Sequence, residues 1–313
     1  MTEASTRSKR SVRSMLSIKD WARNEIQELF ILAAKKKREM KEGQLSTDLA
    51  GKVLALVFHK PSLRTRVSFE VGMHQLGGSA IYITDKEIAI GQRESVADVA
   101  RVLSRYVDGI MIRTFDHSLA LGLAREGTVP VINGLTDLLH PCQVLADLFT
   151  AVEKGKDLDS MCVAFVGDGN NVCNSWLNAS TRFPFTLRIC VPQGHEPSSE
   201  LMEAAKRESR GSIVLLRDPV EAAREADILY TDVWASMGQE EDAETKKRAF
   251  SGFTVDSRVV EAARPDCIVM HCLPAHRGEE ITDEVIEGPR SVVFDEAENR
   301  LHLQKAILLR LLS

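Results

Sequence analysis

Two arginines and two hydroxyls crowd a helix start in Ser62-Leu63-Arg64-Thr65-Arg66, which follows the apolar run VLALVF and His59-Lys60-Pro61. The first turn of a helix carries unpaired N–H groups and a partial positive charge, so it attracts phosphate. Guanidinium adds a planar fork of donors that pairs bidentately with phosphate oxygens. Alone, the tract reads equally well as an anion site or as a capped helix with two solvated arginines. Arg113 ends the apolar run DGIMIR, and His140-Pro141-Cys142-Gln143 opens a long apolar segment, its proline suited to a first helical turn. Each has an ordinary reading too, a surface arginine or a helix cap. On parallel strands all three clusters would face one spot, and that convergence matters more than any member.

A second group lies further along. VAFVGDGNNVCNS looks superficially like a dinucleotide turn, but it lacks the third glycine. The acid expected about 20 residues on is also missing, because LRICVPQ ends without one. A tight strand-to-helix turn presenting Asn170 and Asn171 fits better. DILYTDV leads into Asp232-Val233-Trp234-Ala235-Ser236-Met237-Gly238, where Asp232 suits an ammonium and the glycine marks a loop. With the charged tract QEEDAETKK behind it, that loop is a candidate lid. In IVMHCLPAHRGEE, His271, Cys272 and His276 lack a usual zinc spacing, so no metal is expected. Cys272, directly after an apolar strand, reads as a nucleophile or as a pocket wall.

The elements that must position these residues are legible from periodicity. KVLALVFH, SAIYIT, DGIMIRT and the segment around VPVINGL read as strands separated by helices, the arrangement of βα units on a parallel sheet. After a polar stretch at 154–159 the alternation resumes with MCVAFVGD, LRICV, SIVLLRD, DILYTDV and DCIVMHCL. SVVFDE is a further strand candidate, and ENRLHLQKAILLRLL a closing amphipathic helix. The expectation is therefore an α/β protein of two doubly wound domains, residues 1–150 and 151–313, each a parallel sheet flanked by helices. Ligands of such sheets sit at the C-terminal strand ends. The 313 residues, 44% hydrophobic and 27% charged, suit that architecture. No apolar run approaches the roughly 20 residues of a membrane span. The net charge of −5 argues against nucleic acid as a partner. Six cysteines without a CxxC pair point to reduced thiols in a cytoplasmic compartment. Residues 4–19, rich in Ser, Arg and Lys, read as a solvated N-terminal arm rather than a transit peptide.

SLRTR, HPCQ, DVWASMG and HCLPAHRGEE, in this order, resemble the aspartate/ornithine carbamoyltransferase family from about residue 15 to the C-terminus. The DxxxSMG and HCLP motifs are similar to its ornithine branch. That resemblance implies carbamoyl phosphate and L-ornithine as substrates, citrulline and phosphate as products, arginine biosynthesis, no cofactor, a homotrimer, and a C-terminal helix packed back on the N-terminal domain. It also implies that Ser62, Leu63, Arg64 and Thr65 hold the phosphate, with Arg66 beside them. Arg113, His140 and Gln143 would bind the carbamoyl end, and Arg300 in ENRLH would reach it from the last helix. Asn171, Asp232, Ser236 and Met237 would grip the α-amino and α-carboxylate groups of ornithine, with Cys272 and Leu273 lining the reaction centre. One departure is Ala89, where many bacterial relatives carry Gln. Rival expectations are a sister transferase using aspartate, putrescine or an acylated ornithine, an NAD-dependent oxidoreductase on the GDGNN turn, and a catalytically silent binding protein.

Overall fold

The computed structural model of the chain describes residues 12–88, 90–91, 93–235 and 243–313. In the N-terminal half, the strands β1 (Val53–Phe58), β2 (Ser79–Thr84), β3 (Gly109–Arg113) and β4 (Val131–Leu135) form a parallel sheet in the order β2-β1-β3-β4. In the C-terminal half, β5 (Cys162–Val166), β6 (Thr186–Cys190), β7 (Ile213–Leu216), β8 (Ile228–Thr231) and β9 (Ile268–His271) form a second one, ordered β7-β6-β5-β8-β9. The central strands are buried on both faces, which is why VLALVF and CVAFV read as unbroken apolar runs rather than alternating ones. Two doubly wound parallel sheets flanked by helices are thus the fold expected from the alternation.

The direction of winding reverses between β1 and β3 in the first sheet and between β5 and β8 in the second. Such reversals leave a crevice beyond the C-terminal strand ends, where ligands of open α/β sheets bind. The helix Leu63–Gln75 follows β1, and the helix Asn171–Ser180 follows β5, so both reversal points are faced by a helix N-terminus.

Two helices join the halves. Pro141–Glu153 is buried from Pro141 through Ala151, and the 20-residue helix Val293–Leu312 packs against it and against Arg23–Lys41 and Leu63–Gln75. The C-terminal helix therefore lies back on the N-terminal domain. One continuous core runs from Leu56 and Phe149 through Trp176 and Tyr230 to Leu303 and Leu308.

Two sequence expectations are corrected. SVVFDE is not a strand: Ser291 makes an isolated bridge to Val269, and the helix begins at Val293. A short apolar run does not distinguish a strand from a buried helix start, and here Val293 is buried while Phe294 is exposed. The arm reading of residues 4–19 fails in its described part. Met15 bridges Ile132 beside β4, and Met15, Ile18 and Trp21 are buried. Ser17 caps the short helix Ile18–Asp20. The basic residues mask the apolar ones between them, and Arg13 keeps to the surface by pairing with Glu25 and covering the Trp21 ring. Residues 1–11 lie outside the described residues.

Candidate active site

Parallel register brings the expected clusters together. Phe58 pairs with Arg113, so the tract after β1 and the end of β3 are neighbours. The register slips between Ile112 and Arg113 against β4, a local irregularity that re-aims the arginine at the sheet edge. In the other half, Val166 pairs with Thr231 and Thr231 with His271. The residues that follow each strand, Asn170 and Asn171, Asp232, and Cys272, are consequently side by side.

Ser62 caps the helix Leu63–Gln75, its Oγ accepting from the Thr65 N–H at 3.3 Å. Thr65 is buried and accepts from Arg300 Nη2 at 2.8 Å. Arg300 lies on the C-terminal helix, and its charge, with that of Arg64, pushes on Arg113. Burial first, then these two cations, bring the Arg113 guanidinium down to about 9. His140, at the N-terminus of Pro141–Glu153, is held well below its ordinary value by burial and then by Arg300, Arg113 and Arg64. Its imidazole is neutral at pH 7. The Nε atoms of Arg64, Arg113 and Arg300, Nδ1 of His140 and Oε1 of Gln143 are buried without a protein partner. Buried polar atoms are normally satisfied. Three guanidiniums converging with unspent donors form a site suited to a small, multiply charged oxyanion.

Not every residue of the tract points inward. Leu63 is 76% exposed and offers the site only its backbone N–H. Arg66 is exposed, bonds Glu70 at 3.1 Å and lies 3.8 Å over the Tyr82 ring, so its charge is engaged outside the arginine cluster. Lys60 is likewise spent on Asp137 at 2.6 Å.

The opposite wall comes from the C-terminal half. Asp232 is buried and accepts from Asn170 Nδ2 at 2.7 Å and from the Cys272 thiol at 2.9 Å. Burial, then the Asp232 charge, raise the Cys272 pKa well above the usual thiol value. A protonated thiol is a poor nucleophile, and one that donates to Asp232 suits the wall of a pocket better than attack. Asn171 spends its Nδ2 on the Thr136 carbonyl at 2.6 Å, tying the two halves together at the cleft. Leu273 sits at φ 55°, a left-handed conformation costly for a leucine. The turn is held by His271, whose Nδ1 accepts from the Leu273 N–H at 2.8 Å and whose Nε2 therefore donates to Glu280 at 3.0 Å. Asp232, His271 and Cys272 approach one another closely enough to suggest a metal. Both imidazole nitrogens and the thiol are, however, committed to these internal bonds.

Ser236, Met237 and Gly238, with Gln239 to Asp242 of the candidate lid, and Ala89 lie outside the described residues. The dinucleotide reading of the GDGNN turn meets a physical obstacle. A Cβ on Gly169 would come within 2.2 Å of the Pro197 backbone and 2.6 Å of the His195 carbonyl oxygen, and the Gly169 N–H already donates to that oxygen. This glycine admits a neighbouring loop of the chain itself rather than a pyrophosphate.

Sequence reasoning missed Asp147, Glu296 and the His271–Glu280 pair. Gln143 Nε2 donates to Asp147 at 2.8 Å and to Glu296 at 2.9 Å, all three buried. Burial pushes Asp147 up to about 7, and burial with the neighbouring Asp147 pushes Glu296 up, so the pair retains a proton near neutrality. The available signal was an acid inside an apolar helix, Asp147 in QVLADLFTAV, since carboxylates are seldom buried unless paired.

Comparison with known proteins bears on this geometry. Residues 13–153 match the family model described as aspartate/ornithine carbamoyltransferase, carbamoyl-P binding domain, and residues 159–311 its Asp/Orn binding domain. The ornithine carbamoyltransferase of Syntrophus aciditrophicus is 50% identical over 296 residues, covering 95% of this chain and 98% of its own. That of Syntrophotalea carbinolica is 51% identical over 301 residues, 96% of this chain and 99% of its own. Among solved structures, ornithine carbamoyltransferase from Pyrococcus furiosus superposes with a TM-score of 0.92 at 48% identity, covering 96% and 97% of the two chains. The anabolic enzyme from Campylobacter jejuni gives 0.91 at 39%, covering 96% and 99%. With both family models matched in order across nearly the whole chain, Arg64 and Arg113 lying in the first and the Asp232–Cys272 wall and Arg300 in the second, this chain belongs to the aspartate/ornithine carbamoyltransferase family.

Proposed function

We infer that the chain transfers the carbamoyl group of carbamoyl phosphate to the side-chain amine of L-ornithine, giving L-citrulline and phosphate. The observation that carries this reading is the convergence of Arg64, Arg113 and Arg300 with buried, unpaired Nε atoms, across the cleft from the Asp232–Cys272 wall. Residues 1–150 form the carbamoyl-phosphate half and 151–313 the ornithine half.

Ser62, the Leu63 N–H, Arg64 and Thr65 hold the phosphate, and Arg113, His140, Gln143 and Arg300 hold the carbamoyl end. Because both partners of Gln143 Nε2 are carboxyl oxygens, its free Oε1 faces the site and accepts from the carbamoyl NH2. The neutral ornithine amine attacks the carbamoyl carbon, and the carbonyl electrons move to oxygen. Arg113 and His140, the latter through a neutral N–H, stabilise that oxyanion; one well-placed donor is typically worth roughly 3 kcal/mol. Collapse breaks the carbon–oxygen bond to phosphate, whose charge stays on Arg64 and the helix N–H groups, and the attacking nitrogen passes its proton to an oxygen of the departing phosphate. Asp232 grips the α-ammonium of ornithine, and Asn171, Ser236 and Met237 are the further residues for its amino-acid end. Cys272 and Leu273 position the reacting amine.

Leu63 and Val67, one turn apart and both exposed, lie on the helix that packs beside edge strand β2, whose Ile81 is half exposed. This apolar surface supports a homotrimer with sites near the subunit borders. The six free cysteines, five of them buried, suit a reducing cytoplasm. The test is ureido-product formation from carbamoyl phosphate offered L-ornithine, aspartate, putrescine or acetylornithine in parallel. Citrulline should dominate, and equal turnover of putrescine would refute the role of the amino-acid end.

A further inference from the structure

Glu296 stands on the first turn of the C-terminal helix, fully buried, and touches both halves of the site without facing either substrate. Its Oε1 accepts from Gln143 Nε2 at 2.9 Å, and its Oε2 accepts from the His271 N–H at 2.9 Å. His271 is the last residue of β9 and immediately precedes Cys272; its own ring holds the Leu273 turn. One carboxyl group thus fixes the amide at the carbamoyl end and the strand end that carries the cysteine. Four residues on, Arg300 of the same helix reaches Thr65 of the phosphate tract.

Resting on the reading above, we propose that Glu296 is a positioning residue for carbamoyl transfer. It holds Gln143 with Oε1 toward the carbamoyl NH2, and keeps that amide in register with the Cys272–Leu273 wall where the amine attacks. Asp147 is its partner, the second acceptor for Gln143 Nε2. With either acceptor lost, the amide can turn over and present NH2 to NH2. The carbamoyl group would then be held by its phosphate alone and rotate away from the line of attack. Misplacing a reacting centre by about 1 Å costs on the order of a hundredfold in rate.

Glu296→Gln preserves shape but offers one acceptor where two are used, so one contact becomes donor against donor. In the full-length protein, kcat for citrulline formation should fall ten- to hundredfold, while KM for carbamoyl phosphate stays within about threefold because the arginines are untouched. In a Gln143→Ala background the same change should cost at least about threefold less than it does in the wild type, since part of its effect passes through that amide and only the rest through His271. A kcat equal to wild type, or losses that multiply in the double variant, would overturn the role and leave Glu296 a packing residue. If Glu296→Gln does not fold, Glu296→Asp, too short to reach both partners, is carried through the same cycle with the same two outcomes. A wild-type protein that makes no citrulline overturns the preceding reading, and with it this one.

Discussion

Arg113 gives the sharpest test of the anion site, because its structure-derived cost is large and its sign unusual. Its guanidinium is brought far down from its ordinary value, to about 9, mainly by burial and then by Arg300 and Arg64. At about 1.36 kcal/mol per pH unit, keeping it charged costs the folded protein at most roughly 5 kcal/mol relative to water. A base with a depressed folded pKa regains that stability only as pH climbs above about 9 toward its ordinary value, so at pH 7 the whole penalty stands. Arg113→Met keeps the aliphatic stem and removes the charge. After allowance for lost contacts, the ligand-free variant should be more stable by about 1–3 kcal/mol, read as a melting temperature raised by a few degrees. Inorganic phosphate at a hundred times its Kd stabilises the wild type by about 2.7 kcal/mol; held by Ser62, Arg64 and Thr65, it should still stabilise the variant, by a shift reduced through the loss of one neighbouring cation. Citrulline formation should fall on the order of 10²–10³-fold in kcat/KM. The paired assays are thermal melts with and without phosphate and a colorimetric citrulline measurement. A variant that is destabilised and keeps wild-type turnover would refute the reasoning, making Arg113 a structural cation.

Gly169→Ala should lower stability by about 3 kcal/mol or more in a urea titration, because its Cβ has to displace backbone at 195–197; an unchanged midpoint would remove the close-approach account of the GDGNN turn. The apparent affinity for ornithine should improve from neutral to mildly alkaline pH, since only the neutral amine attacks and its ordinary pKa is about 10.4; a flat initial-rate profile argues against that. His302 is brought down to about 4 by burial and then by Lys305, so it supports the fold above about 6.5 and progressively less as pH falls toward 4. His302→Asn should accordingly cost more melting temperature at pH 8 than at pH 5, and equal losses would exclude the histidine.

Length, hydrophobic runs and their spacing determine much of this protein. VLALVF, GIMIR and CVAFV, separated by helical patterns, read as doubly covered strands, and intervening helices make them parallel, so the residues after each strand gather at one edge. That is enough to bring Ser62, Arg64, Arg113, Asp232 and Cys272 to the C-terminal ends of their sheets; strand order and register come from packing. Tertiary structure decided the rest. Met15 and Ile18 are core residues only because β4 offers an open edge, which no local pattern around them reports. Arg66 and Arg64 stand two apart on one helix, and only the neighbouring β2 ring of Tyr82 and the Glu70 carboxylate draw Arg66 outward. Asp147 and Glu296 are separated by 149 positions and meet solely because the last helix lies across the first domain. Their contact is a consequence of packing, and so is the clustering of three arginines, which like-charge repulsion would disperse in an unfolded chain.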